Sequence, residues 1–413
     1  MPDHRPEIRL GEYQTTDLGT DQLTAGDVAR LHALQGRGCL SLTTSRTGWR
    51  LKAGATVGVL VLDRIRLVVE PRFAIPGDQL MTWLAYALHT HVPMTARRWS
   101  TGPDGYADLV AAALLEECEK LLREGLRRDY VRRQSLEPVL RGRLDVAAQA
   151  TRRFGQLDQL HVRTFDREAD IWDNLVLGIA LQAAFSLTSD SRLASALHGI
   201  TDAFPHASTP ATALRALQRT QYTRLNARYR PAHTWARLLL RGGGVTDLQT
   251  DDGTTAGGLL LAMPALWEAV VRRLATEAAV PRGGRPVPSN GGTGITVRGD
   301  LGSTSTFRPD LLLRLPATGT DQYTLLPIDA KYKRYDRRGV SAGDIHQLLT
   351  YSAGYTPAEA PRAVIVHPQP GEYARRTLRI GSPQRGLGVI HVLGIDTHAP
   401  PEQASAWMRA ALP

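Results

Sequence analysis

The stretch RPDLLLRLPATGTDQYTLLPIDAKYK, residues 308–333, constrains this chain more than any other. Two apolar runs flank a segment rich in Pro, Thr and Gly, the pattern of two strands joined by a turn. If the turn centres on Gly319 and Thr320 and no bulge shifts the register, Asp310 faces Asp329 at the open end of the hairpin. Side chains alternate faces along a strand, so Asp329 and Lys331 share one face and Ala330 points the other way. Two like charges directly opposed destabilise a strand pair by roughly 0.2–1 kcal/mol unless something between them reverses the balance. A divalent cation does so, and the Ala330 carbonyl is a candidate further oxygen ligand in the same segment.

Lysine usage sharpens the point. The chain carries 50 Lys plus Arg, yet lysine occurs only at Lys52, Lys120, Lys331 and Lys333. Arginine is a planar, permanently charged fork, whereas lysine is a compact point charge whose pKa responds to its surroundings. Beside a bound metal, Lys331 can orient a water or help remove its proton.

The formal charge of +10 favours a polyanionic partner, since clustered cations gain affinity by displacing phosphate counterions. A coding bias toward Arg, Ala, Gly and Pro would give the same sum. Cys39 and Cys118 are too few for a disulfide framework or a zinc site, which points to a reducing compartment. The start, MPDHRPEIRLGEY, lacks an apolar signal region, and no apolar run reaches the length of a membrane span. The expectation is a soluble cytoplasmic protein with no membrane partner.

At 413 residues the chain is long enough for two or three domains. Residues 1–76 read as a β-rich N-terminal domain, with strands near residues 39–44, 49–52, 56–62 and 66–71. From Asp78 the period becomes helical. Leu80, Trp83, Leu84, Ala87 and Leu88 form one stripe, and Val110, Leu114, Cys118, Leu121 and Leu122 a second. Residues 77–245 are therefore expected to be a helical region. Its two basic stretches, residues 123–134 and 141–154, are either phosphate-contacting or solvated helix faces. Asp166, Glu168, Asp170 and Asp173 precede an apolar helix and read as capping and surface charge.

The Gly- and Asp-rich residues 241–258 mark a boundary, and residues 258–400 read as an α/β domain with a mixed sheet flanked by helices. In its first helix, MPALWEAVVRRLATEA, Glu268 lies off the apolar stripe of Leu266, Val270 and Leu274. It is either a third carboxylate for the site or an exposed helical glutamate. Ser341 and Asp344 start the helix SAGDIHQLLTYSAGY, packed through Ile345, Leu348 and Leu349, with Gln347 and Tyr351 together on another side. The segments RAVIVHP and LGVIHVLGID read as strands, and His367, His391 and His398 as structural.

Opposed carboxylates with a lysine on the same face suit metal-assisted phosphodiester hydrolysis. Hard oxygens bind Mg²⁺ while leaving water positions open, the ion polarises the phosphate, and Lys331 attends to the water. Asp310, Asp329 and Lys331 are the candidate catalytic residues, with Asp310, Asp329 and the Ala330 carbonyl as metal ligands and Glu268 as a further candidate in both roles.

PD, a strand, then DAK, with a Glu-bearing helix before and a Gln-x-x-x-Tyr helix after, resembles the PD-(D/E)xK nuclease superfamily, and brings Gln347 into the candidate site. More narrowly, the chain resembles the McrC-like nuclease subunits of McrBC-type modification-dependent restriction systems. The stretches that carry this are VGVLVLDRIRLVVEPRF before a helix, LRGRLD, FDREADIWDNLVL, MPALWEAVV, and RPDLLL with LLPIDAKYKRY. The likeness runs over residues 50–370 and is most specific over 308–355. Trp267 keeps the aromatic residue that the family places before the glutamate, whereas residues 1–45 match no known pattern.

The resemblance implies a Mg²⁺-dependent DNA endonuclease, with Mn²⁺ as a possible substitute, acting on modified DNA in antiviral defence. It also implies a separate McrB-like AAA+ GTPase ring, which the chain enters and stimulates through its N-terminal and helical parts. Consistently, the sequence has no G-x-x-x-x-G-K-[ST] phosphate loop of its own. The alternatives are a non-catalytic activator of a ring NTPase with a vestigial nuclease fold, and a basic nucleic-acid-binding protein without catalysis.

Overall fold

A computed structural model describes residues 5–73, 75, 77–92, 106–205, 209–242, 258–288, 293–299, 302–316, 322–336 and 339–413. The chain opens with β1 (Glu7–Gly11), β2 (Thr15–Gly19), α1 (Ala25–Gly36), β3 (Leu40–Ser45), β4 (Gly48–Ala53), β5 (Thr56–Val61) and β6 (Arg66–Glu70). The last four strands follow the sequence expectation closely. β1, β2 and α1 were not foreseen, because β1 and β2 each bury only one residue fully and carry little apolar alternation. The start of α1 is chemically explicit: Thr24 Oγ accepts from Asp27 N, and the Asp27 carboxylate accepts from Thr24 N, a reciprocal cap. β2, β4 and β3 form one antiparallel sheet, while β1 runs parallel to β6 in a second that continues through β5.

The middle of the chain holds α2 (Gly77–Ala87), α3 (Tyr106–Arg123), β7 (Asp129–Glu137), β8 (Arg143–Leu144), α4 (Val146–Arg152), β9 (Leu160–Glu168), α5 (Trp172–Leu187), α6 (Ser191–Thr201), α7 (Pro210–Arg219) and α8 (Arg230–Leu240). Helices α3, α5 and α8 pack on one another through the buried faces that the helical period marks, Cys118 included. The expectation of a wholly helical region is corrected here. β7, β9 and β8 form a three-stranded antiparallel sheet that contains both basic stretches in part. Its strands bury only Val162 and Thr164 fully and leave apolar residues such as Tyr130, Leu136 and Phe165 exposed, so they lack the apolar alternation by which a strand is read.

The acidic residues before α5 also need correcting. Asp166 and Glu168 lie on β9 and pair with Arg141 and Arg133 at the surface, as surface charges. Asp173 is fully buried instead, ion-paired with Arg127 and approached by Asn226 Nδ2 at 3.3 Å.

The C-terminal part comprises β10 (Gly258–Ala262), α9 (Met263–Ala279), β11 (Arg285–Pro286), β12 (Ile295–Gly299), β13 (Gly302–Phe307), β14 (Leu311–Pro316), β15 (Tyr323–Ala330), α10 (Ala342–Tyr355), β16 (Arg362–Pro368), β17 (Ala374–Ser382), β18 (Arg385–Ile395) and α11 (Pro401–Ala411). A six-stranded mixed sheet runs in the order β11-β14-β15-β16-β18-β17, with β15, β16 and β18 mutually parallel. Alternation assigns its two faces. Leu311, Leu313, Leu326, Ile328, Val364 and Val366 share a core with α9, whereas Ala363, Ile365, Ile390 and Val392 pack on Leu348 and Tyr351 of α10.

β10 does not join this sheet. It pairs antiparallel with β5 and completes the N-terminal sheet just before α9 begins. A Cβ at Gly58 would lie 2.0 Å from the Leu259 carbonyl oxygen, so the close approach of the two strands requires glycine there.

Candidate active site

The hairpin adopts the expected register. β14 and β15 pair from Leu311↔Ile328 to Pro316↔Tyr323, and one further step places Asp310 beside Asp329. The expected turn at Gly319 and Thr320 lies outside the described residues. Asp310 Oδ2 accepts a hydrogen bond from Ala330 N at 2.7 Å, which ties the end of one strand to the other. Asp329 is 1% exposed, and its Oδ2 lies 2.7 Å from Lys331 Nζ. The lysine also donates to Gln347 Oε1 at 3.0 Å, so the sheet and α10 aim one ammonium jointly.

The electrostatics follow from crowding. Burial, then the neighbouring Asp329 charge, push the Asp310 carboxyl up to about 6, against the pull of the Ala330 amide and Lys331. Asp329 is raised too, chiefly by burial, despite its ion pair with Lys331. Burial alone would lower the Lys331 pKa, but the carboxylates of Asp329, Asp310 and Asp344 outweigh it and raise it. Lys331 is thus held as an ammonium, the form that orients a water or an anionic oxygen.

A supporting layer fixes these groups. Gln347 Nε2 donates to Tyr351 Oη at 2.9 Å, and Tyr351 Oη donates to the Arg308 carbonyl at 2.5 Å, so α10 holds the segment just ahead of Asp310. The Val366 carbonyl on β16 accepts both Lys331 N at 2.9 Å and Trp267 Nε1 at 3.1 Å. Lys333 has its own anchor: its Nζ contacts both Asp344 oxygens at 2.9 Å, and Tyr335 and Ser341 hydroxyls donate to the same carboxylate. Ser341 caps α10 by accepting from Asp344 N, as its spacing suggested. The anchoring by Tyr335 went unread, because only the fold brings that residue to Asp344.

Glu268 stands apart. Its charge contributes to the raised pKa of both aspartates, so it lies near the pair, but its Oε1 accepts from Arg272 Nη2 at 2.6 Å one turn along α9. The i,i+4 Glu-to-Arg spacing is a sequence signal that could have disclosed this partner. Among the described residues no three His, Cys, Asp or Glu side chains gather closely enough to hold a metal. The carboxylate set of the site is therefore the pair Asp310 and Asp329. His367 is fully buried against the Tyr335 ring, and burial lowers its pKa to about 4.

Fold and site together define a multidomain α/β protein with a carboxylate pair and an ammonium at the end of a strand of a mixed sheet. The chain belongs to the family described as McrBC 5-methylcytosine restriction system component, whose profile matches residues 51–368. Its fold is similar to a chain of the refined half-complex from a tetradecameric assembly of Thermococcus gammatolerans McrB AAA+ hexamers with bound McrC. That likeness has a TM-score of 0.68 at 17% identity and covers 98% of this chain and 99% of the other. A chain of the Thermococcus gammatolerans McrBC complex aligns with a TM-score of 0.46 at 17% identity, covering 66% of this chain and 88% of that one. No curated protein matches the chain.

Proposed function

We propose that the chain is the nuclease subunit of a McrBC-like restriction system, a metal-dependent endodeoxyribonuclease with a PD-(D/E)xK-type domain. The observation that carries this reading is the gathering of Asp310, Asp329, Lys331 and Gln347 at one end of the β14–β15 hairpin. Family membership and a mixed sheet with α9 and α10 on its two faces support it. The charge of +10 suits a DNA partner. Among the described residues no helix is long and apolar enough to cross a membrane.

The donor set fits a hard divalent cation. It consists of two buried carboxylates, raised in pKa chiefly by burial and, for Asp310, next by the charge of Asp329, with no thiolate or imidazole beside them among the described residues. Asp310, Asp329 and the Ala330 carbonyl would hold Mg²⁺ or Mn²⁺, and Glu268 would add a ligand only on leaving Arg272. When bound, the ion supplies polarisation of a phosphate oxygen and makes a water more acidic.

The chain's own groups do the rest. Lys331 donates to the attacking water or to a phosphate oxygen and offsets the charge that grows there. Gln347 and Asp329 fix the direction of that ammonium, and Tyr351 fixes Gln347 in turn. Water attack at phosphorus then breaks one P–O bond of the backbone.

The partner of this reading is an McrB-like AAA+ GTPase ring, supported by the likeness to a chain from an assembly of McrB hexamers with bound McrC. Full-length chain and ring protein, given 5-methylcytosine-bearing DNA, GTP and Mg²⁺, should produce strand breaks that EDTA abolishes. Breaks that persist in EDTA would overturn the metal dependence, and DNA left intact while GTP hydrolysis is stimulated would turn the reading toward a non-catalytic activator.

A further inference from the structure

The residue between the two lysines of DAKYK faces away from the site. Tyr332 is buried at 9% exposure, and its hydroxyl donates to Glu12 Oε2 at 3.1 Å, across 320 residues of sequence. Glu12 follows β1 in the N-terminal sheet, with its N–H bonded to the Glu70 carbonyl at 3.0 Å. The same Glu12 oxygen accepts Arg72 N at 2.6 Å, and the Phe73 ring meets the Tyr332 ring edge-on at 4.7 Å between centroids. The turn that presents Glu12 is itself stiff. Tyr13 sits at φ +63°, Gln14 N donates to the Gly11 carbonyl, and Gln14 Oε1 accepts from Gly11 N.

On the other side of Tyr332 the backbone is equally constrained. Lys333 N donates to the Lys331 carbonyl at 2.9 Å, closing a three-residue turn with Tyr332 at its centre. A displacement of the Tyr332 backbone therefore displaces the peptide that carries Lys331. We infer that Glu12 and Tyr332 are positioning residues for Lys331: the N-terminal segment sets the direction of the site's ammonium through a buried carboxylate–phenol hydrogen bond. The inference rests on the nuclease reading of the site and assigns to the N-terminal sheet a part in aligning it.

Burial makes the joint sensitive. Glu12 is 5% exposed, and its Oε1 has no hydrogen-bond partner among the described residues. Burial raises its pKa to about 7, against the Arg72 N–H, the Tyr332 hydroxyl and the Arg72 charge, and Tyr13 is the other titratable group facing it. Loss of a partner there leaves a buried polar group unsatisfied, at the cost of its desolvation.

The test uses the full-length chain with labelled lysines, whose four side-chain ammonium signals include Lys331. Tyr332→Phe deletes one oxygen and keeps the ring on Phe73, so it preserves packing; Glu12→Ala removes the acceptor, and Glu12→Gln restores one. Tyr332→Phe and Glu12→Ala should move the Lys331 resonance and leave Lys52 and Lys120 in place, and Glu12→Gln should return it toward wild type. With ring partner, methylated plasmid and Mg²⁺, the first two variants should cut about 10-fold more slowly at unchanged DNA affinity. Their pH–rate profile should also lose any inflection contributed near pH 7. An unmoved Lys331 signal, or cutting within about twofold of wild type where wild type cuts, overturns the inference. If wild type itself does not cut, the nuclease reading fails, and the lysine resonance still decides whether Glu12 and Tyr332 position Lys331.

Discussion

Lys331 Nζ lies 2.7 Å from Asp329 Oδ2, and a single residue, Ala330, separates the two along the chain. The pair is a short-range product of strand alternation: both side chains leave the same face, and burial leaves each with the other as its main counter-charge. Replacing Lys331 by Arg keeps a positive charge but not a compact one that fits between Asp329 and Gln347. Single-turnover cleavage should drop about 100-fold in Lys331→Arg and at least as far in Lys331→Ala. Rates within a few-fold of wild type in both would remove Lys331 from the chemistry.

Asp310 makes a prediction about stability and pH. Its carboxyl is raised from 3.8 to about 6 in the native state, chiefly by burial and then by Asp329. Between those values the folded chain holds a proton that the unfolded chain has released. The stabilisation is therefore complete below about pH 4 and is lost as pH rises through about 6. In metal-free buffer, wild type should lose on the order of 2 kcal/mol more than Asp310→Asn between pH 4 and 7. His233, lowered to about 4 by burial, works in the opposite sense in both proteins, so the difference between them isolates Asp310. Mg²⁺ at pH 7 should raise the melting temperature of wild type and leave that of Asp310→Asn nearly unchanged. Parallel melting curves would count against the shared-charge account.

Much of this site was legible because its logic is local. The Asp310–Asp329 juxtaposition follows from hairpin symmetry, and β14 and β15 keep the expected register through Leu311↔Ile328. The proximity of Gln347 and Tyr351 was legible from their i,i+4 spacing, although Tyr351 packs in the same core as Leu348 and not on a separate side. The three-stranded sheet β7-β9-β8 was not legible, since exposed residues such as Tyr130 and Phe165 interrupt the alternation that marks a strand. Nor was the return of β10 to the N-terminal sheet, or the link from Glu12 to Tyr332, because both join segments far apart in sequence. The arginine partner of Glu268 lay one turn away and could have been read.

The fully buried Asp173 depends on Arg127. Removing the guanidinium leaves a carboxylate without its cation, a change that costs roughly 3–5 kcal/mol. Urea unfolding of Arg127→Ala should shift accordingly, and the double variant Arg127→Ala/Asp173→Ala should recover part of the loss. An Arg127→Ala midpoint equal to wild type would mean that Asn226 and neighbouring water suffice for Asp173.

Gly58 reports on the seam between the N-terminal sheet and the strand that leads into α9. A methyl group there collides with the Leu259 carbonyl, so Gly58→Ala should cost about 1–3 kcal/mol through displacement of β10 from β5. Amide exchange should quicken over residues 258–262 more than over β14. Uniform exchange, or no loss of stability, would show that β10 is not pinned at that point.

The most direct test of the central claim is cleavage by Asp329→Asn. The asparagine keeps the shape of a 1%-exposed side chain and removes the charge that faces Asp310 and Lys331. Assembled with the proposed McrB-like ring protein on 5-methylcytosine-bearing DNA with GTP and Mg²⁺, the variant should stimulate GTP hydrolysis normally while cleavage falls by about 1,000-fold or more. Cleavage at the wild-type rate by that same assembly would contradict the assignment of the Asp310–Asp329–Lys331 cluster as the hydrolytic site.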